Sequence, residues 1–173
     1  MFKSLQAKQV KDTAVVSEIK SLNRWETAQF SVEKVIDSGS SGNAFQQFLF
    51  GDKILLIAHG SVVAGFDMSA LTSKNVKISG QTIVVTLPAP EVLSTSLDES
   101  QTRVYDRQKG LLTPSDTNLE STARAQAVTD IHQAACSEGI LNTASDNAKK
   151  QLTPILSSFG FTSITINIPQ GSC

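Results

Sequence analysis

An α+β fold, with helices on a mostly antiparallel sheet, is predicted by three features of the sequence. Apolar residues alternate with polar ones in most segments up to about residue 105, the period changes to about four after Gly110, and alternation returns at the end. The predicted order is an N-terminal helix, five or six strands, two consecutive helices and a final strand.

From Thr13 to Trp25, apolar Val15, Val16, Ile19 and Leu22 recur at helical spacing and predict an amphipathic helix ending near Trp25. Ala28, Phe30 and Val32 then stand two apart, as in a half-buried strand. The polar stretch SGSSGN, residues 38–43, is a flexible loop. Residues 53–68, KILLIAHGSVVAGFDM, form one long bent strand or two strands meeting at Gly60. In VKISGQTIVVTL, residues 76–87, two alternating runs flank Gly80, which tolerates the positive φ of a hairpin turn. Val76, Ile78, Ile83, Val85 and Leu87 are expected on one face. Pro88 and Pro90 end that hairpin, and EVLSTSL and TRVYD follow as short strands.

Beyond Gly110, Leu119, Ala123, Ala127, Ile131 and Ala135 make an i, i+4 stripe behind candidate caps Ser115 and Asp116, with Gly139 as the stop. A second helix starts at Asn142 or Thr143, buries Ala144, Ala148, Leu152, Ile155, Leu156 and Phe159, and stops at Gly160. Pro154 inside it predicts a kink or restart. Residues 161–168, FTSITINI, supply the last strand.

The 173 residues suffice for one self-sufficient core, and the organisation expected is a basic segment over 1–19, a single α+β domain over 20–168 and a tail over 169–173. Hydrophobic residues at 40% and charged residues at 18% argue against disorder and against a membrane-embedded chain. A net charge of −1 lacks the basic footprint of a nucleic-acid binder. Residues 1–25 nevertheless carry five basic side chains against two acidic, a net +3, which leaves −4 elsewhere. This basic head is a solvated helix end or a segment lying beside an anionic membrane surface. Two cysteines, Cys136 and Cys173, are too few for a disulfide framework.

Several constellations have chemistry in principle. His59 with Asp67 and Asp106 offers an imidazole and carboxylates, yet lacks a compact ligand spacing, so His59 at the strand bend and Asp67 as a cap are the competing structural roles. His132 and Cys136, four apart on one helix face, are either a half-buried structural pair or a thiolate with its base. Gly39-Ser40-Ser41-Gly42 is one residue short of a nucleophile elbow. RVYDR, with Tyr105, Asp106 and Arg107, is a strand end with Tyr half in the core, or a polar binding edge. No phosphate-cradling glycine motif is present, and no catalytic residue, metal site or cofactor is assigned.

The segments ETAQFSVEKVI, GDKILLIAHGSVVAGFDMSAL, VKISGQTIVVTLPAPEVLSTSLDESQTRVYDRQKGLL and AKKQLTPILSSFGFTSITI resemble successive blocks of the bacterial family domain of unknown function 4230, over roughly residues 20–168. The resemblance implies a membrane-tethered, extracytoplasmic domain, because members carry an apolar N-terminal segment ahead of it. No such segment precedes the blocks in this sequence. The family has no established activity, so no site residue carries over. The expected function is a non-catalytic binding or assembly domain of the cell envelope, with a homo-oligomer or a membrane surface as candidate partner. The alternatives are a small-molecule or lipid pocket between the sheet and the C-terminal helices, and a hydrolase using His59 or Cys136.

Overall fold

A computed structural model describes residues 14–39, 42–114 and 116–173. The candidate elbow serines Ser40 and Ser41, the candidate cap Ser115 and most of the basic head lie outside the described residues. The elements are α1 (14–21), β1 (Arg24–Gly39), α2 (Ala44–Phe50), β2 (Asp52–Asp67), β3 (Val76–Ser79), β4 (Thr82–Thr86), β5 (Glu91–Leu97), β6 (Arg103–Lys109), α3 (Leu119–Ser137), α4 (Ile140–Ser158) and β7 (Ser163–Asn167). This is the predicted α+β class, with its N-terminal helix, consecutive C-terminal helices and final strand. One sheet has the order β1-β2-β5, with β6 also pairing with β2, and a second has the order β3-β4-β7. β6 runs antiparallel to β2, whereas β7 runs parallel to β4.

The chain forms two compact units, each assembled from separated segments. The first takes residues up to Gln29, then Val63–Leu93 and Gly139–Cys173; the second takes Phe30–Val62 and Ser94–Glu138.

In the first unit the apolar alternation of β3 and β4 points Val76, Ile78, Ile83 and Val85 into a core closed by Val15 and Ile19 of α1 and by Ala148, Leu152 and Leu156 of α4. Gly80 takes φ 60° in the hairpin, as its place between the alternating runs requires. Trp25 and Phe66 pack at 5.9 Å between ring centroids. A Cβ on Gly65 would lie 2.0 Å from the Trp25 carbonyl oxygen, so only glycine lets these strands approach. α4 is fixed to β1 by polar bonds: the Thr27 hydroxyl donates to the Ala144 carbonyl at 2.9 Å, and the Asn147 amide donates to the Thr27 carbonyl at 2.8 Å.

In the second unit α3 buries Leu119, Ala123, Ala127, Ile131, Ala134 and Ala135, the predicted stripe with one addition. A Cβ on Gly60 would lie 2.6 Å from the Ser96 carbonyl oxygen and 2.9 Å from the Ile131 side chain, so helix and sheet touch directly there. β6 is exposed along its whole length. Its pairing with β2 slips by one residue between Leu55 and Leu56, leaving Tyr105 as the extra residue of a β-bulge.

Several boundaries differ from expectation. Trp25 belongs to β1, because α1 stops at residue 21 and Asn23 reverses the chain at φ 51°. Residues 53–68, in contrast, take the first of their two expected forms, since β2 is one uninterrupted strand through Gly60. Asn118, not Asp116, stands at the start of α3, and Asp116 instead accepts the Asn118 N–H at 2.8 Å. α4 starts directly after Gly139, whose φ of 82° separates the two helices, and continues through Pro154 without a restart. Phe159 is exposed at the end of α4 rather than buried. α2 had no counterpart in the sequence reading.

Candidate functional site

Most of the predicted site residues have local partners of their own. His59 Nε2 sits 3.3 Å from the Glu33 carboxylate on β1, while the His59 backbone exchanges bonds of 3.2 Å with the Thr102 hydroxyl and accepts the Asp98 N–H at 2.8 Å. Its structural role is to hold the β5–β6 connection. Asp67 caps the 3-10 turn Met68–Ala70 by accepting the Ser69 N–H at 2.9 Å, and bonds from Ser69 keep its carboxyl below the usual range. Asp106 accepts a bond from Gln108 at 3.2 Å on the exposed face of β6. Tyr105 is 68% exposed rather than half in the core, because the bulge turns it out of the ladder.

Both cysteines are disulfide-bonded, so Cys136 offers no free thiol for the nucleophile considered from the sequence. His132 faces the Thr95 hydroxyl, 3.1 Å from its Nδ1, rather than serving a thiolate.

Arg107 has a defined and structural task. Its Nε and Nη2 donate to the two oxygens of Asp52 at 3.0 and 2.7 Å, and Nη2 also donates to the Asp116 carbonyl at 2.8 Å. The Asp116 N–H returns a bond of 2.9 Å to Asp52. Asp52 is buried, and the Arg107 bonds, with that from the Asp116 backbone, lower its pKa to about 2. This closed ring ties the start of β2 to β6 and to the approach of α3. Sequence reasoning found Arg107 and missed Asp52, although an aspartate opening the apolar run KILLIA was an available signal.

The most unusual surface of the second unit lies next to this ring. α2 has the sequence AFQQFLF and buries none of its residues. Asn43 starts it, its side chain accepting the Gln46 N–H at 2.9 Å, so Asn43 with Gln46 three residues on was the sequence signal for this helix. Phe45 and Phe48 are 70% and 62% exposed, and Leu111 and Leu112 in the turn after β6 are 73% and 66% exposed. The turn is locked to α2 by the backbone: Leu111 N–H donates to Phe48 at 3.2 Å, Leu112 to Leu49 at 3.0 Å and Gly110 to Gly51 at 2.6 Å. A Cβ on Gly110 would lie 2.7 Å from the Leu49 carbonyl, which explains the glycine at this junction. Between α2 and β6 runs a groove of about 360 Å³ lined by Phe48, Leu111, Lys53 and Lys109 among others.

Fold and surface thus define an α+β protein that displays an apolar helix beside its main sheet, with its candidate polar residues engaged in holding the fold. The chain belongs to the family described as Protein of unknown function (DUF4230), whose match runs over residues 17–166. Neither the curated proteins nor the solved structures contain a match to the chain. No helix among the described residues is long and apolar enough to cross a membrane.

Proposed function

We propose that this protein is a non-catalytic binding or assembly domain of the cell envelope, tethered to the membrane on its extracytoplasmic side and acting through its surface. The observation that carries the reading is the exposed apolar face formed by α2 and residues 110–112, since water-facing clusters of large apolar side chains mark interaction sites. Two further features support it. His59, Asp67 and Arg107 are all engaged in structural bonds. Disulfide-bonded cysteines suit an oxidising compartment such as the extracytoplasmic space.

A broad hydrolase screen with wild type and His59→Ala, run beside native mass spectrometry over a concentration series, tests the reading. The expected result is no His59-dependent turnover, with association that depends on Phe45 and Phe48. His59-dependent hydrolysis overturns it. Alkylation is expected to label neither cysteine in denaturant until a reductant is added; labelling of Cys136 in the unreduced protein would remove the support taken from the disulfide.

A further inference from the structure

The apolar face has a composition and a bonding pattern that narrow what covers it. Residues 43–51 and 110–114 form it, and neither stretch holds a charged side chain, in a chain of which 18% is charged. A short exposed helix normally leaves its last carbonyls to water. Here three of the last four are met by the chain itself, and so is the cap: Gln47 accepts from Gly51 at 2.9 Å, Phe48 from Leu111, Leu49 from Leu112 and from the Thr113 hydroxyl at 3.3 Å, and the cap Gly51 from Gly110. At the other end, Gln46 and Gln47 N–H groups are taken by Asn43, through its side chain at 2.9 Å and its carbonyl at 3.0 Å. Internal closure of this kind matters little in water. In hydrocarbon, where no solvent partner exists, it decides whether a backbone segment can enter.

The charges at the rim have matching chemistry. Lys53 and Lys109 border the groove beside Phe48 and Leu111, and Lys53 reaches Asp37 on β1 at 2.8 Å. Lysine stems lie along apolar surface while their ammonium groups stay at headgroup level. Large apolar side chains beyond a basic rim are the arrangement of a segment that lies in a bilayer interface. From the uncharged apolar face, the main-chain bonds that close most of its helix end and its lysine rim, we infer that α2 with residues 110–114 docks into the surface of a lipid bilayer containing anionic headgroups. This rests on the binding reading above and names the occupant of its surface.

Flotation with phosphatidylcholine vesicles containing phosphatidylglycerol tests the inference. Wild type is expected to float with the vesicles, and Phe45→Ser/Phe48→Ser/Leu111→Ser to bind at least about tenfold more weakly, since burying even one such side chain in hydrocarbon is worth that factor. Equal flotation of both, or none by wild type, overturns it. Phe48→Trp provides a conservative second variant: its emission should shift to the blue and be quenched by acyl chains brominated near the headgroup, against the constant signal of buried Trp25. Absence of quenching overturns the proposal even where the triple variant misfolds. Lipid-free oligomers that depend on Phe48, without flotation, would overturn lipid docking while leaving the binding reading intact. His59-dependent hydrolysis would overturn that reading and leave the vesicle result standing.

Discussion

The β3–β4 hairpin and the α2 helix spend similar apolar side chains in opposite ways. Val76, Ile78, Ile83 and Val85 are all buried, under Leu152 and Leu156 of α4. Phe45, Phe48, Leu111 and Leu112 stand in solvent, although main-chain bonds from Leu111 and Leu112 to Phe48 and Leu49 hold the two segments together. The difference teaches that order and burial are separate achievements: α2 is held by caps and main-chain bonds, which leaves its side chains for another task.

Four measurements would break or sharpen that contrast. The largest effect belongs to the buried side. Leu152→Ala, at a fully buried position of α4, is expected to lower unfolding free energy by about 3 kcal/mol in denaturant titration. Next comes Gly65→Ala, which places a methyl group against the Trp25 carbonyl and should cost roughly 2 kcal/mol, read as a lower thermal midpoint.

Asp52→Asn stands between the extremes, because it breaks a charged ring bordering the exposed region. A loss of about 2 kcal/mol at neutral pH is expected. The folded carboxyl titrates near 2, below its ordinary 3.8, so its contribution is complete above about pH 4 and fades as pH falls toward 2. Denaturant midpoints compared at neutral and acidic pH should therefore converge less in wild type than in Asp52→Asn, meaning that wild type loses more on acidification. The smallest effect is expected at Phe45→Ser, within about 0.5 kcal/mol by the same titration, since the side chain already faces water. A loss as large as that of Leu152→Ala would erase the contrast.

Most of the architecture was legible where burial is periodic. The alternation of VKIS and TIVVT and the four-residue stripe from Leu119 to Ala135 each report a face that meets a core, and the structure places those faces inward. α2 was not legible in the same way. Seven residues give less than two helical turns, and an apolar set with no buried member has no periodic signature, so only Asn43 and Gln46 marked it. The role of Arg107 was hidden because its partner Asp52 lies 55 residues earlier, and only the β2–β6 register brings them together. The disulfide state of Cys136 was equally out of reach, since two cysteines in a sequence carry no record of their oxidation. Among the candidate residues, chemistry of the side chain was visible and its occupation was not: His59 and Asp67 are engaged by groups that strand pairing and a turn supply.

The bulge at Tyr105 has a consequence for the protein as a material. β6 pairs with β2 and is exposed throughout, and a straight strand of its length would invite another chain to add to the sheet. The slipped register divides it into Arg103–Val104 and Asp106–Lys109, and the bend between them denies an incoming strand a continuous ladder. In a molecule that also carries an exposed apolar helix, that bend works against strand addition along β6.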